Sequence, residues 1–508
     1  LHEIYQKRPK STEYMQSEEI KPDLPGKQEI IENKVLSLWE ALLPVFILIF
    51  MLAYNIFVFG DASLDGSNQF ILLMGASFAA LIGFKNKVSY AQMLEEVAHN
   101  VKSTSGAILI LLMVGALSGT WLISGIIPSM IYYGLQLLSP SIFLAASLVI
   151  CSVVSLATGS SWSTSATVGI ALIGIGQTLG VSPGMTAGAV ISGAYFGDKL
   201  SPLSDTTNLA AAMAGAPLFD HVRYMLITTV PSILITFVVF LVVGLGIDSS
   251  SAPVITDKLE AIDASFTISP WLFSVPALVI FMIIRKTEPL VALLAGALLG
   301  GVAAVLLQPD IVVAVAGGTT LDFNTAYKGV MNALTIKTSV QTTHAELNEL
   351  FTAKGMQGMM GTIWLVLCAM VFGGVMDAIG ALARISQALL TMFHTVFGLF
   401  TSTVISCIAI NVTASDQYLA LVIPGKMYKK AFDAKGLHPV NLSRTLEDSG
   451  TVTSVLVPWN TCGAYNAGVL GVATGDYFMY AIFNWLSPIM TLFVAALGIK
   501  IQKKNSDN

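Results

Sequence analysis

Charges inside an otherwise apolar stretch are the first place to look for chemistry, because each is costly unless it is paired or used. The segment GAYFGDKLSPLSDTTNLA (193–210) holds Asp198, Lys199 and Asp205. On a helix the two aspartates would stand about 10 Å apart, roughly two turns along one face. Pro202 between them removes a helical donor and frees backbone carbonyls. Ser204, Asp205, Thr206, Thr207 and Asn208 then offer hydroxyl, carboxylate and amide oxygens in a row. Such a set suits a hard cation such as Na⁺, or a proton. Lys199 also admits a plainer role, a structural ion pair with one aspartate, which leaves the other to explain.

A second polar segment reads LEDSGTVTS (446–454) followed by PWNTCG (458–463). Asn460 and Thr461 fall opposite Ser204 and Asp205 at an offset of 256, so they and the carbonyls freed at Pro458 could complete an oxygen cage. Glu447 and Asp448, with Lys199, are candidates for proton relay or gating; acids starting a helix are the alternative. Two short polar stretches, TGSSWS (158–163) and NVTASD (411–416), add Thr158, Ser160, Ser161, Thr413, Ser415 and Asp416. At an offset of 255, Asp416 stands opposite Ser161, so one tip is neutral and its partner acidic. Asp416 suits an ion or proton site and equally a helix N-cap. Asp377, after Gly373 and Gly374, is a further relay candidate.

The elements that must position these groups are membrane helices. The 508 residues are 54% hydrophobic and 11% charged, with a mean hydropathy of +0.74. A soluble chain carries about a quarter charged residues. Apolar runs predict spans at 35–59, 69–84, 104–124, 185–215, 225–246, 270–284, 289–307, 361–378, 447–475 and 477–499. Two further stretches, 141–180 and 397–430, read as hairpins that enter and return, and 185–215 and 447–475 as broken helices. Polar backbone at bilayer depth is tolerated only within protein or along a water-filled cavity, so all the breaks belong inside the molecule. The four cysteines (Cys151, Cys368, Cys407, Cys462) form no CxxC pair and read as buried thiols. His221 and His394 read as ordinary loop histidines.

The halves repeat. Adding 255 takes Gly106 to Gly361, Gly119 to Gly374, Gly125 to Gly380 and Thr158 to Thr413. Adding 256 takes Pro202 to Pro458 and Gly215 to Gly471, a slip of one residue across the hairpin. With both termini cytoplasmic, the threading leaves only Lys258, Lys328, Lys337 and Lys354 outside and Lys199 within the membrane, as the positive-inside rule asks. The expected fold is therefore an all-α polytopic membrane protein of two inverted repeats, each with a re-entrant helical hairpin and a broken transmembrane helix. The parts are a polar tail (1–34), repeat 1 (35–246), an outer connector (247–269), repeat 2 (270–499, with an outer loop at 309–360) and a short cytoplasmic tail (500–508). Paired broken helices in inverted repeats are how transporters build a mid-membrane site with alternating access.

The segment at 193–210, with 446–454 and 458–463, closely resembles the NhaC family of sodium/proton antiporters, and the likeness runs from about residue 35 to 499. The resemblance implies exchange of Na⁺ for H⁺ as the transported ions, with no cofactor, a bacterial plasma membrane and a homodimer. The family also includes members that exchange malate with protons for lactate with sodium, so a small carboxylate is a second possible substrate. Asp377 occupies a place where the family often has Glu. An intramembrane enzyme is disfavoured, since the chain lacks HExxH, GxSG and GxGD motifs; nothing points to nucleic acid as a partner.

Overall fold

The computed structural model describes residues 36–59, 66–247, 252–392 and 395–504. The amino-terminal tail and His394 lie outside these residues. The chain is almost wholly helical, with one small antiparallel pair of strands, Thr338–Ser339 and Thr352–Ala353. Among the described residues, eight helices are long and apolar enough to cross a membrane. Uniformly apolar helices that leave Phe50, Phe57, Val242 and Leu306 exposed are what lipid, rather than water, would cover. The protein is thus an all-α, multi-pass membrane protein.

The polar breaks fall where proline, glycine and short polar residues interrupt apolar runs. Helix Pro140–Thr158 stops at Gly159, and a new helix starts at Ser161. Gly159 has a φ of +70°, and a Cβ there would stand 2.7 Å from that of Leu203, so only glycine lets this turn close on the neighbouring break. Helix Pro183–Leu200 ends before Pro202 and restarts at Asp205, capped by Ser204. In the second half, helices Val396–Thr413 and Gln417–Ala434 flank one break. Helix Pro439–Leu446, a π-helical turn Glu447–Thr451 and helix Thr461–Leu470 flank the other.

The local devices recur between halves. Ser204 and Asn460 are both N-caps, 256 apart, and Gly215 and Gly471 both end their helices with φ of +78° and +67°. Gly125 and Gly380 also share positive φ, each just ahead of a 12-residue helix, Ile126–Leu137 and Ala381–Met392. The one-residue slip sits at the tip itself. Thr158 and Thr413 end matching helices 255 apart, while the following N-caps are Ser160 and Asp416, which are 256 apart. Asp416 therefore corresponds to Ser160 and not to Ser161, because the second tip has one extra residue, Ser415, at φ +61°.

Some expectations change. The stretch 270–284 is a 3₁₀ turn Pro270–Phe273 and a short helix Ser274–Ile284, bent by 83° from helix Thr256–Ser265. The stretch 309–360 is folded, with helices Pro309–Ala316 and Phe323–Thr335 and the small sheet. It packs down on helix Tyr90–Ile123: a Cβ on Gly119 would run into the Ala333 carbonyl. His221 lies in helix Leu218–Leu245 and is fully buried, unlike a loop histidine.

Candidate functional site

A cavity of about 610 Å³ opens beside the first break. One wall is the break itself: Asp198, Pro202, Ser204, Asp205, Thr206 and Asn208. Another is the tip Thr158–Ser163, and a third comes from Ser103 to Ile110 with Gln417 and Tyr418. Lys286, Thr287 and Glu288, in the loop after Ile284, complete the lining.

Besides Glu288 at its edge, two carboxylates of the break face this space in different ways. Asp198, in the last turn of its half-helix and 7% exposed, accepts hydrogen bonds from the backbone N–H of Ser161 (3.1 Å) and from its hydroxyl (2.7 Å). The tip of the first helical pair thus aims and fixes Asp198. Asp205, first residue of the next half-helix, is exposed to the cavity, where the helix N-terminus favours its negative charge. The two do not share a continuous helical face, since the chain turns at Ser201–Ser204 between them.

Hydroxyls connect this wall to the second half of the chain. Ser204 and Thr206 hydroxyls are 3.0 Å apart, and Thr206 donates to a carboxylate oxygen of Glu447 at 3.0 Å. The other oxygen of Glu447 is buried without a protein partner. Thr207 and Asn208 are committed elsewhere. The Thr207 hydroxyl donates to the carbonyl of Lys199 (3.0 Å), and the Asn208 amide to those of Pro202 (3.0 Å) and Ser204 (2.7 Å). The carbonyl that Pro202 leaves without a helical donor, that of Asp198, accepts instead from the N–H of Ser201 (3.1 Å), and Thr207 does not line the cavity.

Lys199 points away from the cavity. Its ammonium pairs with Asp448, donates to Ser487 at 3.0 Å and lies 5.5 Å from the centre of the Phe483 ring. Lys199, Arg444, Glu447 and Asp448 are all 0% exposed. The ion pair of Lys199 is thus with neither flanking aspartate but with a residue of the other half, whose carboxylate also accepts from Ser487 and Thr491. Neither Ser487 nor Thr491 carried a sequence signal, because hydroxyls in an apolar helix are common.

The second break is closed on itself. The Asn460 amide donates to the carbonyl and side-chain oxygens of Asn411 (3.1 and 3.2 Å), and its own oxygen caps the N–H of Cys462. The Thr461 N–H donates to the carbonyl of Ser415 (2.9 Å), and the Asn411 amide to Gly450 (2.7 Å). Asp416 is a buried N-cap, accepting from the N–H of Leu419 at 3.0 Å, and the Thr413 hydroxyl bonds back to Ala409. Asn460, Thr461, Thr413, Ser415 and Asp416 form a cluster apart from the cavity lining. Asp377, half-buried at the end of helix Met360–Ala378, joins neither group. Between the halves, Trp162 stacks on Tyr465 with ring centres 4.0 Å apart, and Ser165 donates to Asn466 at 2.8 Å.

Comparison with known proteins finds transporters along nearly the whole chain. An uncharacterised Na⁺/H⁺ antiporter of Haemophilus influenzae is 37% identical, covering 91% of this chain and 97% of the relative. The Na⁺/H⁺ antiporter NhaC of Alkalihalophilus pseudofirmus is 37% identical over 84% of this chain and 90% of its own. A malate-2H⁺/Na⁺-lactate antiporter of Bacillus subtilis is 38% identical over 84% and 87%. Residues 193–499, which hold both breaks, the ion pair and Glu447, match the Na⁺/H⁺ antiporter family. With relatives this similar along nearly its whole length, the chain belongs to that family of secondary transporters.

Proposed function

We propose that this protein exchanges Na⁺ for H⁺ across a bacterial plasma membrane, with Asp198 and Asp205 taking either ion in the cavity at the first break. A buried carboxylate binds a proton more readily than one in water, and Na⁺ prefers the same oxygen donors. Occupancy by one excludes the other, so alternating access couples the two gradients with no covalent step. Ser160, Ser161, Ser204 and Thr206 would supply neutral oxygens, and Glu447, reached through Thr206, is positioned to share the proton. The matched caps and breaks support two inverted repeats with re-entrant pairs. In the threading that puts both termini in the cytoplasm, Lys286 and Glu288 lie on the inner side, so the cavity is inward-facing. A homodimer in the lipid bilayer is part of the same reading.

One observation carries it. Among the described residues, the fully buried Lys and Arg side chains, Lys199 and Arg444, are both turned to Asp448, and the one basic side chain among those lining the cavity is Lys286 at its edge. A site with two carboxylates and no deep cation favours positive charge. The second reading, exchange of small carboxylates together with Na⁺ and H⁺, rests on the Bacillus subtilis relative and on Lys286. Proteoliposomes that report internal pH separate the two. Added Na⁺ alone is expected to move protons, and Asp205→Asn to raise the Na⁺ concentration needed by about ten-fold or more. Proton movement that waits for malate or lactate would overturn cation-only exchange.

A further inference from the structure

Arg444 is fully buried, yet none of its three guanidinium nitrogens has a hydrogen-bond partner within the protein. Its Nε stands 3.9 Å from Asp448, one turn further along the same broken helix. The faces of the guanidinium are covered by aromatic rings, with Tyr224 at 4.6 Å and Phe400 at 5.9 Å. Tyr224 is itself fixed, its hydroxyl 2.6 Å from the Asn441 side chain and 2.7 Å from the carbonyl of Lys500. The carboxy-terminal segment clamps the same place, since the Gln502 carbonyl accepts from the amide of Asn441 (2.7 Å) and from the N–H of His438 (3.0 Å). A buried arginine held so firmly, with its donors unused, contributes charge more than hydrogen bonding.

The charge is needed where it stands. With all groups ionised, Lys199 and Arg444 balance Asp448 and Glu447 in the buried core. Remove either cation and a buried carboxylate is left uncompensated, which strongly favours its protonation. We infer that Arg444 is a positioning residue for the exchange: through Asp448 it keeps the core neutral and Lys199 committed away from the cavity, and so sets the pH range in which the cavity carboxylates release protons to Na⁺. The titratable and charged groups around it are Asp448 and Glu447 on its own helix, His221 and Tyr224 from helix Leu218–Leu245, and Lys199 from helix Pro183–Leu200. Helices Val396–Thr413 and Ile482–Ala496 present Phe400 and the hydroxyls of Ser487 and Thr491. His221, with both ring nitrogens buried and unpartnered, adds no charge while neutral.

The inference rests on the Na⁺/H⁺ reading, and its test keeps the two apart. Full-length wild type, Arg444→Gln and Arg444→Lys are compared in proteoliposomes for Na⁺-driven proton movement between pH 6 and 9 (roughly the span over which perturbed carboxylates titrate). Arg444→Gln is expected to shift the pH midpoint upward by about one unit and to raise the apparent KM for Na⁺ about ten-fold at fixed pH. Arg444→Lys, which keeps the charge, is expected to match wild type. An Arg444→Gln profile that overlays wild type, with only its yield reduced, would make Arg444 a packing residue and overturn the inference. If Arg444→Gln does not accumulate, Arg444→Lys decides alone: a midpoint displaced by a unit or more contradicts a role through charge. Wild type that moves no protons with Na⁺ would instead sink the exchange reading itself.

Discussion

The two breaks use one backbone device with opposite side-chain chemistry. At the first, Ser204 caps a half-helix that begins with Asp205, and the break opens on a cavity with Asp198 aimed into it by Ser161. At the second, Asn460 caps a half-helix that begins with Thr461, and the polar atoms are taken up by Asn411 and Ser415. Interrupting a helix inside a bilayer exposes carbonyls and N–H groups that must be satisfied. At the second, the groups beside the Asn460 cap meet that demand within the protein, and its Asp448 is paired with Lys199. The first leaves carboxylates facing space, which has value only if a cation or proton arrives. On the proposed reading the first break binds the ions and the second is structural, although in sequence they look like equal halves of one cage.

The largest expected effect is at Asp198. Asp198→Asn keeps the shape and removes the charge that Ser161 holds in place, and Na⁺-driven exchange in proteoliposomes is expected to fall at least about 100-fold. Retained exchange would break the assignment. Asn460→Ala should behave in the opposite way. It loses a cap and the tie to Asn411, costing about 1–3 kcal/mol in thermal stability, while the KM for Na⁺ of the folded protein stays within about two-fold. A large rise in KM with unchanged stability would return the second break to the binding site. The smallest effect is expected at Asp416, whose work is capping. Asparagine caps as well as aspartate, so Asp416→Asn should leave exchange rate and melting temperature close to wild type, and a clear loss of exchange would make the second tip an ion site.

Much of this was legible in the sequence. Pro202 and Pro458, glycines that need positive φ, and short polar runs in apolar stretches announce breaks wherever they fall, because the cost of unsatisfied backbone is local. The same locality made the cap at Asp416 readable. What could not be read was which distant group each side chain would meet. Lys199 has an aspartate on its amino-terminal side and another six residues on, yet it pairs with Asp448, 249 residues away. Thr207 looks like a ligand by type, but its hydroxyl braces the carbonyl of Lys199, and Asn208 both braces carbonyls through its N–H groups and lines the cavity. Arg444 sits in a run whose pattern suggests an inner-face basic residue, and only the packing of Tyr224 and Phe400 reveals its burial. The slip of one residue shows in the change of offset, but its place does not: the extra residue Ser415 moves Asp416 opposite Ser160.

The central claim is that one site, centred on Asp198, holds either a proton or Na⁺. It is tested most directly by adding Na⁺ to the purified protein in weakly buffered detergent solution and recording proton release. Wild type is expected to release protons and to bind Na⁺ more tightly as pH rises, and Asp198→Asn to release none. Sodium binding that releases no protons and keeps one affinity across pH would contradict it.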